Sequence, residues 1–455
     1  MLFHSQAFIL GFLPLVLAAY YAAARHAKAR EWVLLLASLV FYGWWDVRFL
    51  PLLLGQCTAT WLASERHCRT GNKGWLWAGV AVNLLSLAFF KYTAFLVSTV
   101  SALAGFDLPP PHILLPIGIS FFTFQLACYL VDLARGDAHH HPWRRITLFV
   151  SLFPHLVAGP IVRHSEIMPQ LDASPLRDGL AERFAKGIAF FVIGCAKKVF
   201  LADPLALSAD QMFAAAQTGA PSAGDAWHGA LAFSLQLFLD FSAYTEMAIG
   251  LGLMLGVRFP DNFNAPYQAT DLRDFWRRWH MTLSRLIRDY LYIPLGGSRQ
   301  GWSGYVTATL ITMGLCGLWH GAGWTFVLWG TLQGVAIVIA TLWARHLPRL
   351  PPIVGWALTT GFFIFTAVFF RAGSLEAAWN IFQGLAVLPP VRFEGRNVIA
   401  AAMLCAFLLP STQEICTRLL STTRLPVPLG LGLAMVLVLV ALGERQSYQF
   451  IYFQF

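Results

Sequence analysis

LCGLWHGAGWTFVLWGTLQG, residues 315–334, is the stretch whose reading decides the fold class. It sits inside an apolar run from about residue 304 to 345, and about 20 apolar residues suffice to cross a bilayer, so this run holds two passes. Its interruption is HGAG, which sets one imidazole, His320, between Trp319 and Trp324 and among Gly314, Gly317, Gly321 and Gly323. Outward from it, apolar runs recur near residues 7–24, 31–47, 49–64, 74–105, 113–134, 183–201, 227–256, 353–371, 395–410 and 428–443. The pattern predicts an all-α polytopic membrane protein with roughly ten to twelve spanning helices. No hydrophilic stretch is long enough for a separate soluble domain, so residues 1–455 read as one integral-membrane domain.

Composition agrees. The 455 residues are 57% hydrophobic and 12% charged, against about a quarter charged in a soluble domain. Lysine and arginine cluster in residues 24–32 and 65–73 and above all in 271–299. By the positive-inside rule those loops are cytoplasmic and the amino terminus lies outside. The first apolar run has no basic segment ahead of it and reads as a retained helix rather than a cleaved signal. The net charge of +9 therefore reflects topology and contact with anionic lipid, and no basic, aromatic-interleaved surface points to nucleic acid. Seven cysteines are scattered without a CxxC pair, which argues against a disulfide framework or a zinc site. The His139–His140–His141 run is expected to bind no metal, because no carboxylate pattern answers it.

Four segments break the spanning pattern, and irregular backbone in a membrane protein lines cavities or is buried in protein, because lipid cannot satisfy it. LLPIGISFFTFQLACYLVDLARG (114–136) opens a helix at Pro116 and Gly118 and then carries Gln125 and Asp132. SLFPHLVAGPIVR (151–163) has Pro154, Gly159 and Pro160 and cannot be one regular helix. LQLFLDFSAYTEMAIGLGLMLGVRFPDNFNAPY (235–267) places Asp240 and Glu246 in apolar sequence, with Tyr244 between them. Such carboxylates pair, face a wet cavity or hold a proton, so Asp240 and Tyr244 are candidates to line a substrate path. The plain alternative for Asp240 is an ion pair with an arginine that follows. DLRDFWRRWHMTLSRLIRDYLYIPLGGSR (271–299) gathers Arg277, Arg278, Arg285 and Arg288. It is either an interfacial anchor or a cationic vestibule for a phosphate-bearing ligand, since arginine grips phosphate through fixed paired donors.

The glycines around His320 remove bulk where something must approach the backbone or the ring. Trp319 and Trp324 are expected to wall the imidazole from bulk water. Histidine has the ordinary pKa, about 6.5, for taking a proton from a hydroxyl near neutral pH.

DFWRRWHMTLSRLIRDYLYIPLGGSR (274–299) followed by LCGLWHGAGWTFVLWGTLQG (315–334) resembles the signature of the membrane-bound O-acyltransferases, in their bacterial alginate O-acetyltransferase branch. LLPIGISFFTFQ (114–125), FPHLVAGPIVR (153–163), FLDFSAYTEMAIGLGLMLGVRFPDNFNAPY (238–267) and FIYFQF (450–455) extend the likeness over nearly the whole chain. It implies a ring of tilted helices with re-entrant elements around a central funnel and tunnel, with a core over about residues 110–345. His320 falls on the family's catalytic histidine and His280 on its second histidine. The implied donor is acetyl-coenzyme A, entering from the cytoplasm with its phosphates near Arg277, Arg278, Arg285 and Arg288; no permanently bound cofactor is expected. The implied partners are an extracytoplasmic polysaccharide, a periplasmic acetyltransferase with serine-type chemistry and the lipids of the bacterial inner membrane.

Acceptors within the branch include alginate, cellulose and peptidoglycan, and related members pass D-alanine to teichoic acid. Tyr452 is a candidate acyl carrier, against the simpler reading that the aromatic tail anchors or packs. A saccharide transporter is the alternative from another class, but the Trp-His-Gly and RRWH elements have no second copy of the kind an internal repeat would give. A noncatalytic scaffold would leave the glycines around His320 without a purpose.

Overall fold

Long apolar segments free of internal proline wind into helices, and no strand occurs among the described residues. The computed structural model describes residues 1–105, 108–387, 396–421, 426–444 and 450–451. They group into two compact units, residues 1–191 with 245–260 and residues 192–244 with 261–455.

The first unit holds α1 (Leu13–Ala22), α2 (Ala27–Gly43), α3 (Leu50–Thr70), α4 (Gly74–Ala104), α5 (Ile119–Arg135), α6 (Trp143–Ser151), α7 (His164–Asp172) and the start of α8 (Leu180–Lys197). In α4 the buried residues Leu76, Gly79, Asn83, Leu87 and Lys91 recur every three or four positions and form one stripe. A Cβ on Gly79 would lie 2.8 Å from both Ala63 and Leu130, so the missing side chain is what lets α4 approach α3 and α5. Asn83 Nδ2 donates to Thr60 Oγ1 at 2.9 Å across the α3–α4 contact. The other faces of α4 expose Val82, Leu85, Phe89, Leu96 and Val100, the surface of a helix turned to lipid.

α5 opens at Gly118, whose φ of 74° is left-handed and whose added Cβ would press to 3.0 Å on the Leu156 carbonyl. The proline-rich segment 152–163 is non-helical as its prolines require, and residues 152–162 are all buried. Its backbone is held from inside. His155 Nε2 donates to the Phe149 carbonyl at 2.9 Å, which leaves Nδ1 to accept from Gln125 Nε2 at 3.3 Å. Unlike the expectation for the histidine run, a carboxylate does answer it: His140 Nε2 lies 2.9 Å from Glu65, and its Nδ1 is 3.0 Å from Ser64. Among the described residues no three His, Cys, Asp or Glu side chains gather as a metal site.

The second unit takes the end of α8, then α9 (Asp203–Ala215), α10 (Ala223–Met254) as far as Tyr244, α11 (Leu272–Arg278), α12 (Met281–Ile287), α13 (Gly301–His320), α14 (Trp324–His346) and α15 (Pro352–Arg371), followed by shorter helices. α13 and α14 form a close antiparallel hairpin. A Cβ on Gly317 would come within 2.2 Å of the Phe326 carbonyl, and one on Gly330 within 2.2 Å of the Met313 carbonyl.

By length and apolarity α4, α10, α14 and α15 qualify as membrane spans. A fifth is reached if Asn397–Leu408 and Thr412–Leu420, bent by 80°, cross as one. That is fewer than the ten to twelve expected from apolar runs. Ala7–Ala22 and Val427–Gly443 are apolar but short, and α13, though uncharged, is diluted by threonine, glycine and tryptophan. The all-helical, multi-pass membrane class stands.

Candidate active site

α13 ends on His320 because Gly321 turns to an extended conformation (φ −155°, ψ 146°) and Gly323 starts α14. The His320 ring is 5% exposed. Trp319 meets it at 4.8 Å between centroids, Trp329 edge-on at 5.3 Å and Phe370 at 5.1 Å. Trp324, expected to be one wall, is 55% exposed; Trp329, on the buried face of α14, and Phe370, near the end of α15, take that place. Two of the four glycines, Gly317 and Gly321, act differently from expectation. Gly317 and Gly330 bring two backbones together, and a Cβ on Gly321 would strike the Phe326 ring at 2.1 Å. Their room is filled by the protein itself, so close helix packing is their use, a purpose that holds with or without catalysis.

His280 begins α12 with φ 42° and ψ 52°, left-handed for a residue other than glycine, and is fully buried. Phe241 stands edge-on to its ring at 4.7 Å, and Trp319 lies 6.4 Å from it. Trp319 thus touches both imidazoles. Burial pushes His280 down to about 3, so it is neutral across the physiological range.

A cavity of about 370 Å³ runs beside α13. From α13 it is lined by Tyr305, Thr309, Thr312, Met313 and Cys316, positions on one face of a helix, and His320 continues that stripe one turn beyond Cys316. At 1.5 Å per residue, Tyr305 to His320 is about 22 Å. Arg273, Trp276 and Arg277 on α11 and Arg288 just after α12 also line it, beside residues of α12 and α14. The Trp276 ring is 6.0 Å from Trp329, which in turn meets His320. The cavity therefore presents three guanidinium groups, and tryptophans connect its lining to the buried histidine.

Of the four arginines singled out in the sequence, Arg277 and Arg288 line this cavity. Arg278 and Arg285 do not line it, and Arg278 pairs with Asp274 at 2.9 Å on the same helix. Arg273, not singled out, joins them because positions 273, 276 and 277 share a helix face. Asp240 is 1% exposed and lies 2.9 Å from Lys198 Nζ, which also meets Asp203 at 2.7 Å. The partner is a lysine ahead of it rather than an arginine behind it. The other Asp240 oxygen accepts the Ile451 amide at 2.8 Å, and Tyr244 packs on Phe450 at 4.6 Å. Both residues hold the segment Phe450–Ile451, which is buried, and neither lines the cavity. Tyr452 lies outside the described residues.

A profile of the membrane-bound O-acyltransferase family matches residues 41–372. The probable alginate O-acetylase AlgI of Pseudomonas aeruginosa is 41% identical over 396 residues, covering 85% of this chain and 75% of that protein. The peptidoglycan O-acetyltransferase of Helicobacter pylori is 37% identical over 422 residues, covering 85% of this chain and 80% of its own. The teichoic acid D-alanyltransferase of Bacillus subtilis is 28% identical over 235 residues, half of this chain and 59% of that one. With a family profile over most of its length and these relatives, the chain belongs to the membrane-bound O-acyltransferase family and is a multi-pass membrane O-acyltransferase.

Proposed function

We propose that this O-acyltransferase takes acetyl from cytoplasmic acetyl-coenzyme A and passes it across the bacterial inner membrane for O-acetylation of an extracytoplasmic polysaccharide, alginate. The observation that carries the reading is the arginine-lined cavity, whose α13 lining stops one turn short of His320. Arg273, Arg277 and Arg288 suit the phosphates of coenzyme A, and the apolar wall suits its pantetheine arm and acetyl group. His320 takes the proton of the attacking hydroxyl, the new C–O bond forms at the thioester carbonyl, the C–S bond breaks, and the imidazolium returns the proton to the leaving thiolate. The aromatic walls keep water from competing for the acetyl group. A periplasmic partner with serine-type chemistry receives the acetyl and completes transfer to sugar. The names of relatives covering 85% of the chain support alginate first and peptidoglycan second; those that transfer D-alanine match half of it.

Binding tests the donor. Arg277→Ala and Arg288→Ala should each weaken acetyl-coenzyme A binding to the purified protein by about tenfold, the loss of one charge-assisted contact worth about 1.4 kcal/mol. Acetyl-pantetheine, which lacks the nucleotide phosphates, should bind both variants as it binds the unsubstituted protein. Equal affinity of all three proteins for acetyl-coenzyme A would remove the cavity from the donor path.

A further inference from the structure

Beside the site lies Asn262, 1% exposed, on the irregular segment between α10 and α11. Its Oδ1 receives the Thr282 backbone N–H at 3.2 Å and the Thr282 hydroxyl at 2.9 Å. A backbone amide can only donate, so the amide atom it meets is the oxygen, which settles which way Asn262 is turned. The same oxygen lies 3.0 Å from His280 Nδ1. An oxygen already accepting from Thr282 can only accept from the ring, so Nδ1 carries the proton and Nε2 is left with a lone pair.

That lone pair has no use within the fold. His280 Nε2 is buried with no hydrogen-bond partner among the described residues, and so is Asn262 Nδ2. A buried polar atom left this way is destabilising. The backbone adds strain, because His280 sits at φ 42°, a left-handed conformation that a side chain disfavours. Two backbone bonds hold the strained turn in place: Met281 N donates to the Asn262 carbonyl at 3.0 Å, and Asn264 N donates to the Arg278 carbonyl at 2.9 Å. Strain held in place by its surroundings is a mark of functional positions.

We propose that Asn262 is a positioning residue that fixes the His280 ring with its proton on Nδ1, so that Nε2 accepts a hydrogen bond from an N–H or O–H of a bound substrate. The inference rests on the acyl-transfer reading of the site. The donor is either an amide of the pantetheine arm or a hydroxyl of the acceptor other than the one His320 deprotonates. A raised KM for acetyl-coenzyme A on substituting His280 assigns it to the first, and a raised KM for the acceptor with donor KM unchanged assigns it to the second.

The test has a spectroscopic arm and a kinetic arm. In 15N-histidine-labelled protein in lipid, the signals absent from His280→Asn should show a protonated Nδ1 and an unprotonated Nε2. Asn262→Leu should lose that single tautomer and, compared at a temperature where both proteins are folded, lower acetyl-coenzyme A turnover about tenfold or more; it also strips the buried Thr282 donors of their acceptor and so lowers the thermal midpoint. Asn262→Asp keeps the oxygen and adds a negative charge that favours the protonated ring. It should preserve the Nδ1 proton and raise by about one unit the pH at which the 15N signal of Nε2 shows protonation. A proton on Nε2 in the unsubstituted protein overturns the proposal. So does an Asn262→Leu protein with unchanged tautomer and turnover. The spectrum needs no substrate, so failure of the unsubstituted protein to turn over acetyl-coenzyme A would count against the donor assignment while the tautomer still decides the role of Asn262.

Discussion

Asp240 is buried 2.9 Å from Lys198 Nζ, while its other oxygen accepts from the Ile451 amide. Removing Asp240 leaves Lys198 its other partner, Asp203 at 2.7 Å, but strips the buried Ile451 amide of its acceptor, a loss of about 1–3 kcal/mol. Asp240→Ala should therefore lower the thermal midpoint of the detergent-purified protein more than Asp240→Asn, which keeps an oxygen for Ile451. Equal midpoints for the two variants would mean the tail contact contributes nothing. The need for a partner to Asp240 was legible in the sequence; its identity was not, because Lys198 sits 42 positions earlier and proximity along the chain favoured the arginines that follow. The tryptophans have a similar explanation. Thr325, Trp329, Gly330, Gln333 and Gly334 make up the buried stripe of α14, and Trp324 lies off it. That stripe can be read from its small and polar residues, whereas adjacency to His320 pointed to the wrong ring.

The α13–α14 hairpin is set by backbone approach more than by side-chain interlock. Because a Cβ on Gly330 would sit 2.2 Å from a carbonyl oxygen that cannot turn aside, Gly330→Val should cost at least the roughly 1–3 kcal/mol of an overpacked core. Gly314 is the internal control: a Cβ there meets nothing nearer than Thr331 Oγ1 at 3.8 Å, and Gly314→Ala should leave stability unchanged or slightly raised. Matched melting curves for Gly330→Val and the unsubstituted protein would contradict this packing. Glycine clustering was visible in the sequence, but whether the space served a ligand or a neighbouring helix depended on α14 lying against α13. The segment 151–163 was easier, since its prolines forbid a regular helix whatever surrounds them. Arg273 was missed for lack of a phase: the helix is short, and only the cavity tells which of its faces matters.

Across the whole molecule, composition and recurring apolar runs were enough to give a helical, multi-pass membrane protein, but not its number of spans. Among the described residues four helices qualify as spans by length and apolarity alone and a bent pair as a fifth, because other apolar runs wind into helices that are short or diluted by threonine, glycine and charge. The residues proposed for chemistry and donor binding all belong to the second unit, and the helix that ends on His320 also lines the arginine-bearing cavity. The decisive measurement is turnover of radiolabelled acetyl from acetyl-coenzyme A by the purified protein in lipid, supplied with the proposed periplasmic acceptor partner, for the unsubstituted chain and for His320→Ala at matched folding. Loss of a general base lowers turnover by about 10²–10⁴-fold, and a fall of that size with donor binding intact is the predicted result. Equal turnover by the two proteins would make His320 a packing residue and contradict the mechanism.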